Sequence, residues 1–309
     1  MQSSNDLRSL GTTASPTQFY TWQNYRCAYE VQQPNNSHPQ GIPLLLIHPI
    51  GVGLSRQFWQ RFCSEWYQTG HQNQIYNPDL LGCGESDMPH VAYTPNDWAE
   101  QLHYFLQTVV QKPVIVLVQG ALLPIALRLI QKEPKLIHSL IFAGPPAWAT
   151  ITKKSPAWQQ KLAWNLFDTP FGDAFYRYAR TPKFLRSFST RQLFASGDTV
   201  DSEWLNTLVA GAKNTANRYA VFSFLSGFWR QDYSSEIASI NQPTLVVVGE
   251  KASSISREGK AETPDERLAD YLAHLPQGRG IKLTGRNVLP YESTGKFVAA
   301  IAPFIDEPA

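Results

Sequence analysis

The chain has 309 residues, is 43% hydrophobic and 12% aromatic, and carries a formal net charge of +2. That is ample apolar material for a large core, and too little charge to imply nucleic acid or another strongly charged partner. Cys27, Cys63 and Cys83 lack metal-ligand spacing and are too few for a disulfide framework, which points to a reducing, cytoplasmic setting. No apolar leader opens the sequence and no run approaches the ~18 apolar residues of a membrane span, so neither a signal peptide nor a spanning helix is expected.

In chain order, residues 1–18 are rich in Ser and Thr and are expected to be flexible. Phe19 to Val31 alternates aromatic and polar residues, the pattern of a hairpin strand at an antiparallel edge. The loop 34–41 holds Asn35-Asn36-Ser37, a glycosylation sequon read here as fortuitous. Ile42 to His48 is a continuous apolar strand that runs into Pro49-Ile50-Gly51-Val52-Gly53, and a helix is expected over 55–69. Gln74 to Asp79 forms the next strand, closed by the turn Leu80 to Asp87 and followed by a helix over 95–110.

The stretch Pro113 to Ile130 is the most informative. Val114 to Val118 is a β-branched run suited to a strand covered on both faces. Gln119-Gly120-Ala121 breaks it. Leu122, Ile125, Ala126, Leu129 and Ile130 then recur at helical spacing, with Pro124 tolerated in the first turn. Further strands are expected at Ser139–Gly144, Pro243–Glu250 and Gly280–Thr284, and a last helix over 294–304. The alternation predicts an α/β fold with a mostly parallel central sheet and helices on both faces.

Residues 147–242 are too long for one crossover helix and read as a helical cap inserted between core segments 19–146 and 243–309. The cap is dense in aromatics, and its first half is basic, with Lys153, Lys154 and Lys161 near its start. One reading has these aromatics packing on one another and on the sheet, with the basic residues solvated. The other has the cap presenting an apolar, basic face to lipid or to a protein partner.

Four stretches, in order, resemble the α/β-hydrolase superfamily over roughly 19–305. Leu44 to Gly51 is similar to the strand whose following loop supplies an oxyanion-hole amide. Pro78 to Asp87 is similar to the D-x-x-G-x-G-x-S turn. Val246 to Lys251 resembles the strand before the catalytic acid, and Leu289 to Glu292 the segment after the catalytic histidine. The first two also resemble a triad-less subgroup from cyanobacteria and plastids. The resemblance implies a nucleophile elbow, G-x-S-x-G, at Val118-Gln119-Gly120-Ala121-Leu122.

The family's chemistry needs a serine, a histidine and a carboxylate. The resemblance places these positions at Gly120, Val288 (Asn287 if the loop shifts by one) and Ala252, so no catalytic residue is expected. All histidines lie elsewhere, at 38, 48, 71, 90, 103, 138 and 274. The elbow requires positive φ, which costs a non-glycine residue roughly 1–3 kcal/mol, so a glycine there relieves strain once the hydroxyl is not needed. Cys83 and Ser86 are read as structural rather than as a migrated nucleophile, His48 as a structural histidine, and Asp79, Asp87 and Glu292 as loop braces.

Three functions remain open on the sequence. A non-catalytic protein could hold a hydrophobic or lipid-like molecule in a pocket lined by His48, Pro49, Ile50, Gly51, Gly120, Ala121 and Val288. A scaffold or assembly factor could dock through the basic aromatic cap by Lys153, Lys154 and Lys161. A serine-independent hydrolase or lyase could use a non-standard site. No cofactor, metal or nucleic acid is expected, because no ligand spacing or phosphate loop is present.

Overall fold

The computed structural model describes residues 15–34 and 38–307. Most of the expected flexible N-terminus and the sequon Asn35-Asn36-Ser37 therefore lie outside the described residues. At the near end, Gln18 already opens the first strand.

Eight strands form one sheet in the order β1-β2-β4-β3-β5-β6-β7-β8. β1 (Gln18–Trp22) and β2 (Tyr25–Gln32) make the expected edge hairpin, whose two-residue turn has positive φ at both Gln23 and Asn24. That geometry matches the right-handed twist of the flanking strands. β2 also pairs antiparallel with β4 (Ile75–Pro78). β3 (Leu44–Ile47), β5 (Val114–Gln119), β6 (Ile137–Ala143), β7 (Thr244–Gly249) and β8 (Gly278–Leu283) are paired in parallel, as are β3 and β4.

The parallel strands are apolar throughout because both faces are covered. In β5, Val114, Val116 and Val118 enter one core cluster while Ile115 and Leu117 enter the other. The first cluster is closed by α2 (Pro95–Phe105) and α3 (Leu123–Lys132), through Trp98, Leu102, Ile125 and Leu129. The second is closed by α1 (Gln60–Gln68) and the last helix, Thr294–Ile305, through Phe62, Trp66, Phe297 and Ile301. Burying each of these large side chains contributes about 1.5–3 kcal/mol.

The expected helix over 55–69 opens instead with a 3-10 turn, Arg56–Trp59, capped by the Ser55 side chain. The helix expected to reach Val110 is α-helical only to Phe105. It then widens into a π-turn, Leu106–Val110, and stops at Gln111 with φ 57°, two residues before Pro113. β8 is the outermost parallel strand and is only half-buried, so its sequence is not an apolar run. Between β6 and β7 the chain forms α4 (Trp148–Ile151), α5 (Ala157–Phe167), α6 (Pro170–Ala179), α7 (Pro182–Phe188), α8 (Ser202–Gly211), α9 (Arg218–Leu225) and α10 (Ser234–Ala238). After β7 come α11 (Pro264–His274), the short α12 (Leu289–Glu292) and α13, the last helix already described. Among the described residues no helix is long and apolar enough to cross a membrane.

One buried ion cluster joins the edge hairpin, the β4 turn and the entry to α1. The Arg56 guanidinium, 1% exposed, bonds Glu30 through Nε at 2.8 Å and pairs with the fully buried Asp79 and with Glu85. Asp79 also accepts from the backbone N–H of Arg56 and of Glu85, each at 2.8 Å. Removing one partner of such a cluster leaves an uncompensated buried charge, which costs about 3–5 kcal/mol. Arg56→Met should therefore lower the urea unfolding free energy by roughly that amount. A loss below about 1 kcal/mol would show that the cluster is not holding these elements together.

Candidate functional site

β5 delivers the chain to Gly120, whose φ is 65°, then through the tight turn Gly120–Leu122 into α3. This is the strand–turn–helix expected from the sequence, with the left-handed residue where the nucleophile would stand. A Cβ built on Gly120 meets nothing nearer than the Gly144 carbonyl oxygen at 4.0 Å. Backbone conformation, not lack of room, is what favours glycine here.

The loop after β7 and the loop after β8 come to the same end of the sheet. Asn287 fastens them. Its Nδ2 donates to the carbonyl oxygens of Gln192 (2.7 Å) and Ser253 (3.0 Å), and its Oδ1 accepts from the Ser253 N–H at 3.3 Å. Its backbone N–H donates to Leu193 O at 3.0 Å, and its carbonyl accepts from Gln119 Nε2 at 2.7 Å. Arg286 adds bonds to Ser253 Oγ and to the Arg191 carbonyl. Glu292 accepts from the N–H groups of Ala195 and Arg286, at 2.6 and 2.7 Å, as the expected loop brace. The position next to the expected histidine is thus a structural tie between β5, the β7 loop and the cap, with every side-chain polar atom engaged.

Ala252 and Val288 are both buried. Val288 belongs to the cluster that holds the cap aromatics Phe194 and Trp204 together with Tyr291. Gln119 is the one side chain beside the turn with an unmet need. Its Nε2 is bonded, while its buried Oε1 has no partner.

On the β3 side, His48 is fully buried. Its Nε2 accepts the Leu80 N–H at 3.1 Å, so Nδ1 carries the proton and donates to the Pro49 carbonyl at 2.8 Å. Burial, only partly countered by Asp79, lowers its pKa and keeps the imidazole neutral. Ser86 Oγ donates to the Asp79 carbonyl and accepts from the Ala28 N–H, while Asp87 accepts from the Arg26 N–H at 2.7 Å. Cys83 is completely buried, and burial pushes its thiol well above the range in which a thiolate forms. Cys27 is pushed up to about 12, again chiefly by burial.

The alpha/beta hydrolase family profile matches residues 44–301. The chain belongs to the alpha/beta hydrolase family. Similar solved structures include a thermophilic esterase from Thermogutta terrifontis, with TM-score 0.71, 16% identity, and 94% of this chain and 98% of that one covered. A bromoperoxidase from Bacillus anthracis has TM-score 0.71, 16% identity and coverage of 94% and 100%. An enol-lactonase from Burkholderia xenovorans LB400 has TM-score 0.70, 13% identity and coverage of 94% and 100%. At these identities the likeness establishes the shared fold. No curated protein sequence matches the chain.

In this member of the alpha/beta hydrolase family, Asn217 stitches the cap to both motif loops. Its Nδ2 donates to Gly82 O at 2.9 Å, and its Oδ1 accepts from Tyr176 Oη at 3.0 Å and from the Gly53 N–H at 3.4 Å. Gly53 and Gly211 lie back to back, because a Cβ on Gly211 would sit 2.1 Å from the Gly53 carbonyl oxygen. Under this layer Ile50, Gly51, Gly120 and Ala121 remain partly accessible, while His48, Pro49 and Val288 are buried. The cap aromatics divide. Tyr176, Trp204, Phe222 and Trp229 are buried, whereas Trp158, Phe171 and Tyr178 face solvent. An open cavity of about 420 Å³ lies elsewhere, between the starts of α2 and α10 and helix α3. Its cations are already committed, Arg128 to Glu236 and Lys132 to Glu100.

Nothing in the local sequence marks Asn217 or Arg56, which act across 135 and 23 residues of chain respectively. Asn287→Ala removes its three side-chain bonds, and at about 1 kcal/mol each should cost roughly 2–3 kcal/mol in urea unfolding. A change under about 0.5 kcal/mol would mean the loops do not depend on it. For His48, the folded state binds its proton less readily than the unfolded chain does. Its stability contribution is therefore present above the ordinary imidazole value of about 6.5 and is lost as the pH falls below it. Wild type should lose stability more steeply than His48→Gln between about pH 7 and 5. Equal slopes would reject a buried neutral imidazole.

Proposed function

We propose that this protein is a non-catalytic member of its family, which uses the crevice over the strand-to-helix turn to hold a small apolar group rather than to cleave a bond. One observation carries this reading. The three positions at which the family pattern places nucleophile, base and acid hold Gly120, Val288 and Ala252, and the adjacent Asn287 is consumed in tying loops together. Acyl transfer needs a nucleophile, a base within hydrogen-bond reach of it and a group that orients the base. The cysteines supply no substitute, being buried with raised pKa values. His48, the histidine nearest the motif loops in sequence, has both ring nitrogens occupied.

The binding half of the proposal rests on the residues around the turn. Ile50, Gly51, Gly120 and Ala121 are partly accessible and mostly apolar, and a Cβ on Gly120 would meet nothing nearer than 4.0 Å. The buried, unpaired Oε1 of Gln119, next in the chain to Gly120, is an acceptor that a hydroxyl or amide donor would satisfy if a ligand opened this site.

The deciding experiment is intact mass after incubation with a broad fluorophosphonate, run beside a panel of ester substrates. No adduct and no turnover are expected. A single adduct that maps to a residue of this chain, or turnover above background, would replace the reading with a catalytic one. Gly120→Ser should fold, lose about 1–3 kcal/mol to the left-handed backbone, and gain no esterase activity, because base and acid are also missing. Turnover from that one change would show that a base and an acid do face the turn.

A further inference from the structure

α5 breaks the rule that a surface helix turns its apolar side inward. It buries no residue. Its inner side is Gln160, Ala163, Trp164 and Phe167, all half-buried, with Trp164 against Phe228 and Phe167 stacked on Phe222. Its outer side carries Trp158, Leu162 and Leu166 at four-residue spacing, with 66%, 62% and 54% of their surface exposed. Four-residue spacing sets these three in one stripe along the helix. Phe171, just beyond it at the start of α6, is 60% exposed.

The charges on α5 and just before it have one sign, and the first acids, Asp168 and Asp173, follow its end paired with His90 and Arg177. From Lys153 to Phe167 there are three lysines and no acidic residue. Lys153 stands 3.9 Å from Glu258, while neither Lys154 nor Lys161 has an ion-pair partner among the described residues. Lys161 and Asn165 project on the same outer side as the apolar stripe.

Exposing three large apolar side chains in a row is unfavourable in water and is expected where another phase or molecule covers them. A second copy of this chain is a poor cover. A two-fold contact would bring Lys154 and Lys161 of both copies together without a compensating acid on the stripe. An anionic lipid surface satisfies both features. Tryptophan sits at the boundary between headgroups and acyl chains, leucines insert just below, and lysines meet the phosphates. We propose that the outer face of α5, Trp158, Leu162 and Leu166 with Lys154 and Lys161, docks the protein peripherally on an anionic membrane. This rests on the cap alone and stands or falls independently of the ligand reading above.

Vesicle flotation tests it, with phosphatidylcholine vesicles containing about one-third phosphatidylglycerol against pure phosphatidylcholine. The full chain should float with the anionic vesicles at low ionic strength and release as salt rises. Lys154→Glu with Lys161→Glu should weaken binding by roughly tenfold or more, and Leu162→Asp should do the same by removing the inserted stripe. All three side chains are exposed, so unchanged circular dichroism and melting temperature should accompany the loss. No association with anionic vesicles at low salt, or equal binding by wild type and variants, would overturn the proposal. So would a concentration-dependent dimer that Leu162→Asp dissolves while vesicles bind nothing.

Discussion

The left-handed residue at the end of the central strand is the constraint around which this molecule is arranged. β5 is buried on both faces and flanked by β3 and β6, so the chain can leave it only by turning sharply over the carboxyl end of the sheet. Positive φ at Gly120 makes that turn in one residue and starts α3 immediately. The other loops at the same end then close around the point where the turn projects. Gln119 reaches the β8 loop, Asn287 reaches the β7 loop and the cap, and Asn217 binds the cap to the loops after β3 and β4. In an enzyme of this fold the geometry serves to project a hydroxyl. Here the same geometry persists with hydrogen, the smallest possible side chain, at its tip.

How much of this was legible in the sequence depends on the range of the interactions involved. Val114 to Val118 announced a doubly covered strand because its environment is apolar on both sides. The hairpin announced itself because alternation is a local pattern. The turn at Gly120 could be placed because strand, break and helix are contiguous. Arg56 and Asn217 could not be read, because their partners are brought near by the fold and no spacing encodes them. Asn287 was visible only as an alternative register for the missing histidine, and its tie to Ser253 and Gln192 depends on two loops that meet only after folding. The cap was the hardest part. Its sequence is aromatic throughout, and which aromatics face inward depends on how seven short helices pack, not on periodicity within any one of them.

The buried polar groups describe two different kinds of order. Around Arg56 the charges compensate one another, and the cluster fixes the entry to α1 against the edge hairpin. Around Asn287 the central amide is neutral and its bonds run to backbone, with Arg286 and Glu292 beside it, so the tie holds loop shape. A hydrolytic site would need something else at this place, namely a carboxylate and an imidazole held in mutual contact with a pKa suited to proton transfer. The loops are instead fastened by the Asn287 amide, the Arg286 guanidinium and the Glu292 carboxylate, each bonded chiefly to backbone or hydroxyl groups.

That difference bears on how the proposed non-catalytic reading fits the packing of these loops. A single lost nucleophile would leave base and acid as buried polar groups without their purpose, and each would cost stability unless it found new partners. Ala252 and Val288 avoid that cost, because both are apolar and buried. Asn287 avoids it by having every polar atom bonded. Gly120, Ala252, Asn287 and Val288 are therefore accommodated at this end of the sheet without an unpaired side-chain polar atom of their own. Only Gln119 Oε1 remains unpaired beside the turn. A buried acceptor without a protein partner is the kind of group that an ordered water satisfies.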